Sequence, residues 1–219
     1  MHAPPRGTVY GTLLNYRGAL AALGDAVHKP PYKAPPKAPV LYIKPANTWI
    51  VDGAPIPVPE DVEALQMGAA LGVVIGRTAC RVPVEAALDC VAGYVVVNDV
   101  SVPHDSYYRP SIRFKCRDGF CPISTTIVDR GRAPNPDALA VRVFVDGVLR
   151  QHNTTANLIR STARLIADIT EFMTLSAGDV LLTGVPENAP LARAGQRVAI
   201  EIEGVGRLEN PLVAEGSDR

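Results

Sequence analysis

The densest run of groups able to do chemistry lies between Asn98 and Pro122. It holds Asn98-Asp-Val-Ser101, Tyr107-Tyr-Arg-Pro110, Arg113, Lys115, Arg117 and Asp118-Gly-Phe-Cys-Pro122. Asn98-Asp99 closes an apolar strand pattern, where a loop can present polar groups from a rigid edge. Arg109, Arg113, Lys115 and Arg117 then place four cations within nine residues. Guanidinium forks grip carboxylates at two points, and an ammonium is a compact charge that can hold an enolate or alkoxide oxygen. These residue types suit the floor of a pocket for a small anionic oxo-acid, with Asn98, Ser101 and Asp118 as further polar contacts. A solvated basic loop with Asp99 as a strand cap is the plainer alternative, since charge runs usually face water. A second candidate is the stretch Gly178-Asp-Val-Leu-Leu-Thr-Gly-Val-Pro186. A strand ending in Thr183-Gly184 exposes a hydroxyl and backbone N–H groups that can hold a carboxylate or oxyanion. An ordinary strand followed by a Gly-Pro turn has the same pattern.

Other chemistries are poorly served. There is no G-x-S-x-G elbow, P-loop or H-E-x-x-H, and Gly204-Val-Gly206 lacks the third glycine of a dinucleotide fingerprint. The four cysteines form no C-x-x-C pair and have no histidine at finger-like spacing, so they read as buried free thiols. With 22 basic against 22 acidic residues, no basic excess points to nucleic acid. The longest apolar run, Met67 to Ile75, is far short of a membrane span, and the first 30 residues resemble no secretory signal. A cytoplasmic protein with no membrane partner is expected.

The elements around these residues are mostly short strands. Thr8–Leu14, Leu71–Ile75, Tyr94–Val97, Leu139–Val145, Val180–Thr183 and Val198–Ile202 are rich in Val, Ile and Leu, and turn residues bound most of them. Asp146-Gly147 predicts a hairpin. A small helical piece is expected from Arg17 to about Gly24, and a longer one over Val84–Val91. Apolar residues at 158, 159, 165, 166, 169 and 172 predict a helix over Leu158–Phe172, capped by Asn157. The Pro-rich stretch from Lys29 to Pro39 reads as a stiff extended arm wrapping the protein, with Val40-Leu-Tyr-Ile43 buried behind it. Many strands and few helices predict a mixed, β-rich α+β architecture. The whole chain, 1–219, is expected to form one domain, with 1–39 as an N-terminal strand, short helix and arm.

Taken in order, these pieces resemble the fumarylacetoacetate hydrolase family. The resemblance is carried by Asn15-Tyr16, Ile43-Lys-Pro45, Val73-Val-Ile-Gly76, Gly93-Tyr94 leading to Asn98-Asp-Val-Ser101, Lys115, and Asp118-Gly-Phe-Cys-Pro122. It continues through Gly178-Asp179, Thr183-Gly-Val-Pro186 and Leu208-Glu-Asn-Pro211, so it spans roughly Thr8 to Val213. Pro31-Tyr-Lys-Ala-Pro-Pro-Lys37 and the run from Tyr108 to Pro122 look similar to one branch. These are the N-terminal halves or subunits of bifunctional decarboxylase/isomerases of 4-hydroxyphenylacetate (homoprotocatechuate) breakdown. The resemblance implies a β-roll fold, oligomers, and oxo-acid substrates handled as enolates at a carboxylate-held divalent metal.

Several expectations follow from where this chain departs from that family. Asp99 matches one metal ligand, but the E-x-E pair falls on Gly68-Ala69-Ala70. A Mg²⁺ site left with one carboxylate should be weak or absent. The family's catalytic histidine falls near Ala19, and its Arg-Asp on Pro103-His104, which speaks against C–C bond hydrolysis. Lys115 and Thr183-Gly184 remain. The chain is therefore expected to decarboxylate an unsaturated oxo-tricarboxylate, or isomerise a hydroxy-diene-dioate, through a dienolate held by Lys115 with Arg109 or Arg113. A catalytically silent partner of a metal-bearing sister subunit and a small-molecule binding module are the alternatives. The partners expected are the oxo-acid itself and either further copies of the chain or a C-terminal-type sister subunit.

Overall fold

The computed structural model describes residues 7–108 and 111–216. Its centre is a six-stranded mixed sheet. In spatial order it runs Val40–Lys44, Val9–Leu13, Val180–Leu182, Ala69–Ile75, Val91–Asn98 and Val128–Asp129. All seven residues of Ala69–Ile75 are buried, which explains the unbroken apolar run. Alternation still sorts its two faces. Leu71, Val73 and Ile75 join the main core, while Ala70 and Val74 pack with Val9, Val95, Val97, Val180 and Leu182.

A second sheet orders Val148–Thr154, Ala140–Val145, Arg197–Ile202, Gly206–Ala214 and Ile56–Val58. Val141, Val143, Val145, Ile200 and Leu208 from this sheet fill the main core beside Leu71 and Val73. The hairpin at Asp146-Gly147 forms as expected. Both residues have positive φ, 51° and 77°, as a two-residue type I′ turn requires.

Helices are few and short. Arg17–Ala21 is one, and Val84–Ala87 continues as a single 3₁₀ turn over Leu88–Cys90. The C-terminal helix runs only over Thr162–Thr170, with the Ser161 side chain accepting from Arg164 N. Its expected start at Leu158 and cap at Asn157 are corrected. Ile159 N donates to the Asn15 carbonyl at 2.7 Å and Arg160 N to Asn15 Oδ1 at 3.0 Å, so those amides are held in an extended path. A tertiary partner here outweighs helical periodicity. Elements additional to the sequence reading include the strands Ile56–Val58, Val128–Asp129 and Gly206–Ala214, and a single helical turn at Ile112–Lys115. Among the described residues no helix is long and apolar enough to cross a membrane.

Candidate active site

Lys44 ends the edge strand Val40–Lys44, which pairs antiparallel with Val9–Leu13. The fully buried ammonium of Lys44 donates to the carbonyls of Val100 (2.8 Å), Lys115 (2.6 Å) and Phe120 (2.8 Å). Those three bonds use all its protons. Its contact with Asp99 Oδ1 at 2.8 Å is therefore one of charge, and Oδ1 has no hydrogen-bond donor of its own among the described residues.

Asp99 follows the strand Val91–Asn98 and is anchored by its amide, which donates to the Gly68 carbonyl at 2.7 Å. Its Oδ2 accepts from Lys115 Nζ at 2.7 Å and from the Tyr42 hydroxyl. Lys115 sits in the short turn Ile112–Lys115, and its Nζ lies 4.9 Å from the centre of the Tyr42 ring. Tyr42 can occupy this position because Gly11 stands opposite it in the sheet. A Cβ on Gly11 would come within 2.0 Å of the Tyr42 ring.

The result is a buried trio of two ammoniums and one carboxylate, net positive. Burial alone would raise the Asp99 carboxyl, but the charges of Lys115 and Lys44 outweigh it and hold the group well below the carboxylate range. Burial lowers Lys115 from its ordinary 10.5. Asp99 opposes that shift, and the like charge of Lys44 adds to it. Burial raises the Tyr42 hydroxyl, and the Asp99 charge raises it further, so Tyr42 stays a proton donor.

The two lysines are not equivalent. Lys44 is saturated by main-chain carbonyls. Lys115 Nζ has one protein acceptor, Asp99, among the described residues, and it lines a cavity of about 320 Å³. Asp99, Gln66, Ser101, His104, Asp105 and Glu187 are among the cavity's other polar residues, and Leu13, Leu14, Ala19 and Val185 among its apolar ones. Ser101 Oγ contacts Gln66 Oε1 at 3.3 Å, and the two residues also pair through their main chains.

Of the residues singled out from sequence, Lys115, Asp99 and Ser101 meet in this cavity. Arg109 lies outside the described residues. Arg113 is exposed, and its carbonyl receives Arg117 Nε at 3.2 Å. Asp118 is exposed and accepts from Asn47 at 2.7 Å. Asn98 is buried facing Met67, because side chains alternate and Asp99 takes the cavity side. Thr183 and Gly184 do not line the cavity. The Thr183 carbonyl accepts from Asn15 Nδ2 at 2.8 Å, and Gly184, at φ 120°, turns the chain so that Val185 to Asn188 form one wall. Asn15 is thus a clamp between two loops. Gln66 and Glu187 had no role in the sequence reading, while Lys44 entered it only within Ile43-Lys-Pro45, Tyr42 only as part of a buried stretch and His104 only as a departure from the family pattern. A lysine ending the apolar run Val40-Leu-Tyr-Ile was the available signal, since a buried cation needs a counter-charge.

The donor set does not fit a divalent metal. Among the described residues no group of three His, Cys, Asp or Glu is placed to hold one. Asp99 is neutralised by the ammoniums of Lys44 and Lys115, and the cavity's other carboxylates, Asp105 and Glu187, complete no such group with it. A Cβ on Gly68 would sit 2.4 Å from the Asp99 carbonyl oxygen, so the main chain has closed into the space a glutamate would need. Ala70 lies in the second apolar cluster.

Comparison with known proteins bears on this geometry. The chain is 43% identical over 210 residues to the 4-hydroxyphenylacetate degradation bifunctional isomerase/decarboxylase of Salmonella dublin, covering 96% of this chain and 48% of that protein. The chain thus spans about half the length of this relative and of the similar bifunctional enzymes of Escherichia coli. The crystal structure of 2-hydroxyhepta-2,4-diene-1,7-dioate isomerase from Mycobacterium marinum superposes with a TM-score of 0.80 at 30% identity, over 98% of this chain and 77% of that one. Fumarylpyruvate hydrolase from Pseudomonas aeruginosa, solved in complex with Mn²⁺ and pyruvate, also gives 0.80, at 25% identity over 95% of this chain and 90% of that one. The mixed, β-rich architecture expected from sequence is the fold these proteins share. Residues 8–213 match the family model described as fumarylacetoacetate (FAA) hydrolase C-terminal, so this chain, with an ammonium pair on Asp99, belongs to the fumarylacetoacetate hydrolase family.

Proposed function

We propose that the chain is a decarboxylase/isomerase of unsaturated oxo-acids that stabilises a dienolate with the Lys115 ammonium instead of a metal ion. The observation that carries this reading is Lys115 itself, a buried cation facing a cavity with one of its donors taken by Asp99 and no other acceptor among the described residues. Loss of CO₂ from a vinylogous oxo-tricarboxylate leaves an electron pair delocalised onto the oxo oxygen. A proton shift in a 2-hydroxy-diene-dioate passes through the same charge. A fixed cation in a site shielded from water favours that charged state over its neutral precursor. Asp99 holds Lys115 in place, and Lys44 holds Asp99. The 4-hydroxyphenylacetate degradation named for the Salmonella relative and the 2-hydroxyhepta-2,4-diene-1,7-dioate isomerase named for the Mycobacterium marinum structure support this substrate class. Ser101 is assigned to substrate binding. Arg113 and Asp118 would need a loop movement to take part.

The test is an assay of the isolated chain with 5-oxopent-3-ene-1,2,5-tricarboxylate and 2-hydroxyhepta-2,4-diene-1,7-dioate. Turnover of at least one is expected, with a rate that EDTA leaves within about twofold. The length of the relatives favours a second reading, in which this chain is a silent half stabilising a metal-bearing unit of the same fold. Activity that appears only with such a unit and Mg²⁺ would establish that reading instead.

The alkaline side of the pH profile follows from Lys115. Its charged form is the working form, and burial has lowered its titration below 10.5. The rate of either reaction is therefore expected to fall as pH rises through a value below 10.5. A rate unchanged up to pH 10.5 would count against a catalytic ammonium.

A further inference from the structure

His104 has the geometry of a proton carrier. His104 is one of the residues lining the cavity that Lys115 faces. It is held flat against Phe114 (centroids 5.0 Å apart, interplanar angle 8°), one residue before Lys115. Nδ1 lies 2.9 Å from the Val102 carbonyl. A carbonyl only accepts, so the proton of the neutral ring is on Nδ1 and Nε2 keeps its lone pair. Nε2 is buried and has no partner among the described residues.

Besides Asp99, the carboxylates of Asp105 and Glu187 also line the cavity, and Glu187 Oε1 accepts from Asn153 Nδ2 at 3.0 Å. The resemblance puts the family's catalytic histidine near Ala19, and Ala19 lines the cavity. Asp99 is committed to two ammoniums and Tyr42 donates to it.

We propose that His104 Nε2 carries the proton in the isomerisation, taking it from the enol hydroxyl of a 2-hydroxy-2,4-diene-dioate and delivering it to the fifth carbon. This rests on the dienolate reading above. The enol O–H bond breaks and an Nε2–H bond forms, leaving the dienolate charge on the oxygen beside Lys115. That electron pair then forms the C=O bond, the conjugated pairs shift along the chain, and the fifth carbon takes the Nε2 proton. Nothing else is consumed, and His104 ends neutral.

The groups that face His104 agree with this role. Burial lowers its titration from the usual 6.5, the Val102 carbonyl opposes that, and Lys115 lowers it further. Asp99 and Asp105 act in the opposite direction, and the Tyr107 ring lies 5.5 Å away. The ring is therefore neutral and ready to accept a proton at pH 7.

The experiment compares isomerisation by the wild type, His104→Gln and His104→Ala between pH 4.5 and 8. The wild-type rate should fall on the acid side with a midpoint below 6.5. His104→Gln should lose about 10²- to 10⁴-fold and lose that acid limb with it. Added imidazole should restore part of the rate of His104→Ala, which a packing role for the ring would not permit. Decarboxylation starts by losing CO₂ and not a proton, so it should suffer less. A wild-type rate that is flat down to pH 4.5 overturns the inference without needing a folded variant. So does a His104→Gln rate within about threefold of wild type, and Lys115 keeps its role in either case. A wild type inactive on both substrates overturns the dienolate reading as well.

Discussion

Replacing Lys115 with alanine should lower kcat for decarboxylation and isomerisation by at least about 10³-fold, a loss of about 4 kcal/mol of transition-state stabilisation. Both reactions should fall together, because both put charge on the same oxygen. KM should change less, since the ground-state substrate carries only part of that charge at the oxo group. Lys115→Arg should recover little. A guanidinium keeps the charge, but it is broader and planar and does not fit where a compact ammonium sits 2.7 Å from Asp99 Oδ2. Steady-state kinetics with each substrate is the check, and equal rates for wild type and Lys115→Ala would remove the mechanism.

The second large effect is on stability. Asp99→Asn leaves the ammoniums of Lys44 and Lys115 buried with no carboxylate between them. Breaking a buried ion pair by removing one partner costs about 3–5 kcal/mol. For a chain of this size that is a fall in Tm of roughly 6–20 °C by thermal denaturation. The pH dependence has a definite sign. The folded-state titration of Asp99 lies below its unfolded value, so its stabilisation is fully present above about pH 4. It is lost as pH falls through the folded value, and wild type should lose more stability in acid than Asp99→Asn does. Asp99→Asn melting within a degree or two of wild type would mean that the trio contributes little.

The sequence revealed the fold more readily than the site, for physical reasons. Leu71–Ile75 and Val198–Ile202 are strands because β-branched and apolar residues fill a sheet interior, and that pattern is local. Asp146-Gly147 is likewise a local signal, two residues that tolerate positive φ between apolar runs. The start of the C-terminal helix was not local. Asn15, whose Oδ1 takes the Arg160 amide from 145 residues away, fixes it. The site depends on the same kind of long-range pairing. Tyr42 reaches Asp99 across 57 residues of sequence, and only the sheet places them together. A cluster of cations near Lys115 was visible, but which of them is buried was not. Arg113 and Lys115 are two residues apart in one helical turn, yet one faces solvent and the other the cavity. His104 was seen in sequence only as a departure from the family pattern. Its value lies in an unpaired nitrogen, which is a property of packing.

On this mechanism an ammonium, and no metal, recognises the enolate charge. Oxalate, a planar dianion that mimics an oxo-acid enolate, offers the most direct measurement, by titration calorimetry in the presence of EDTA. The account predicts that the wild type binds it without metal and that Lys115→Ala weakens binding by about 10²-fold or more. Binding that appears only when Mg²⁺ is added, or that is unchanged in Lys115→Ala, would contradict it.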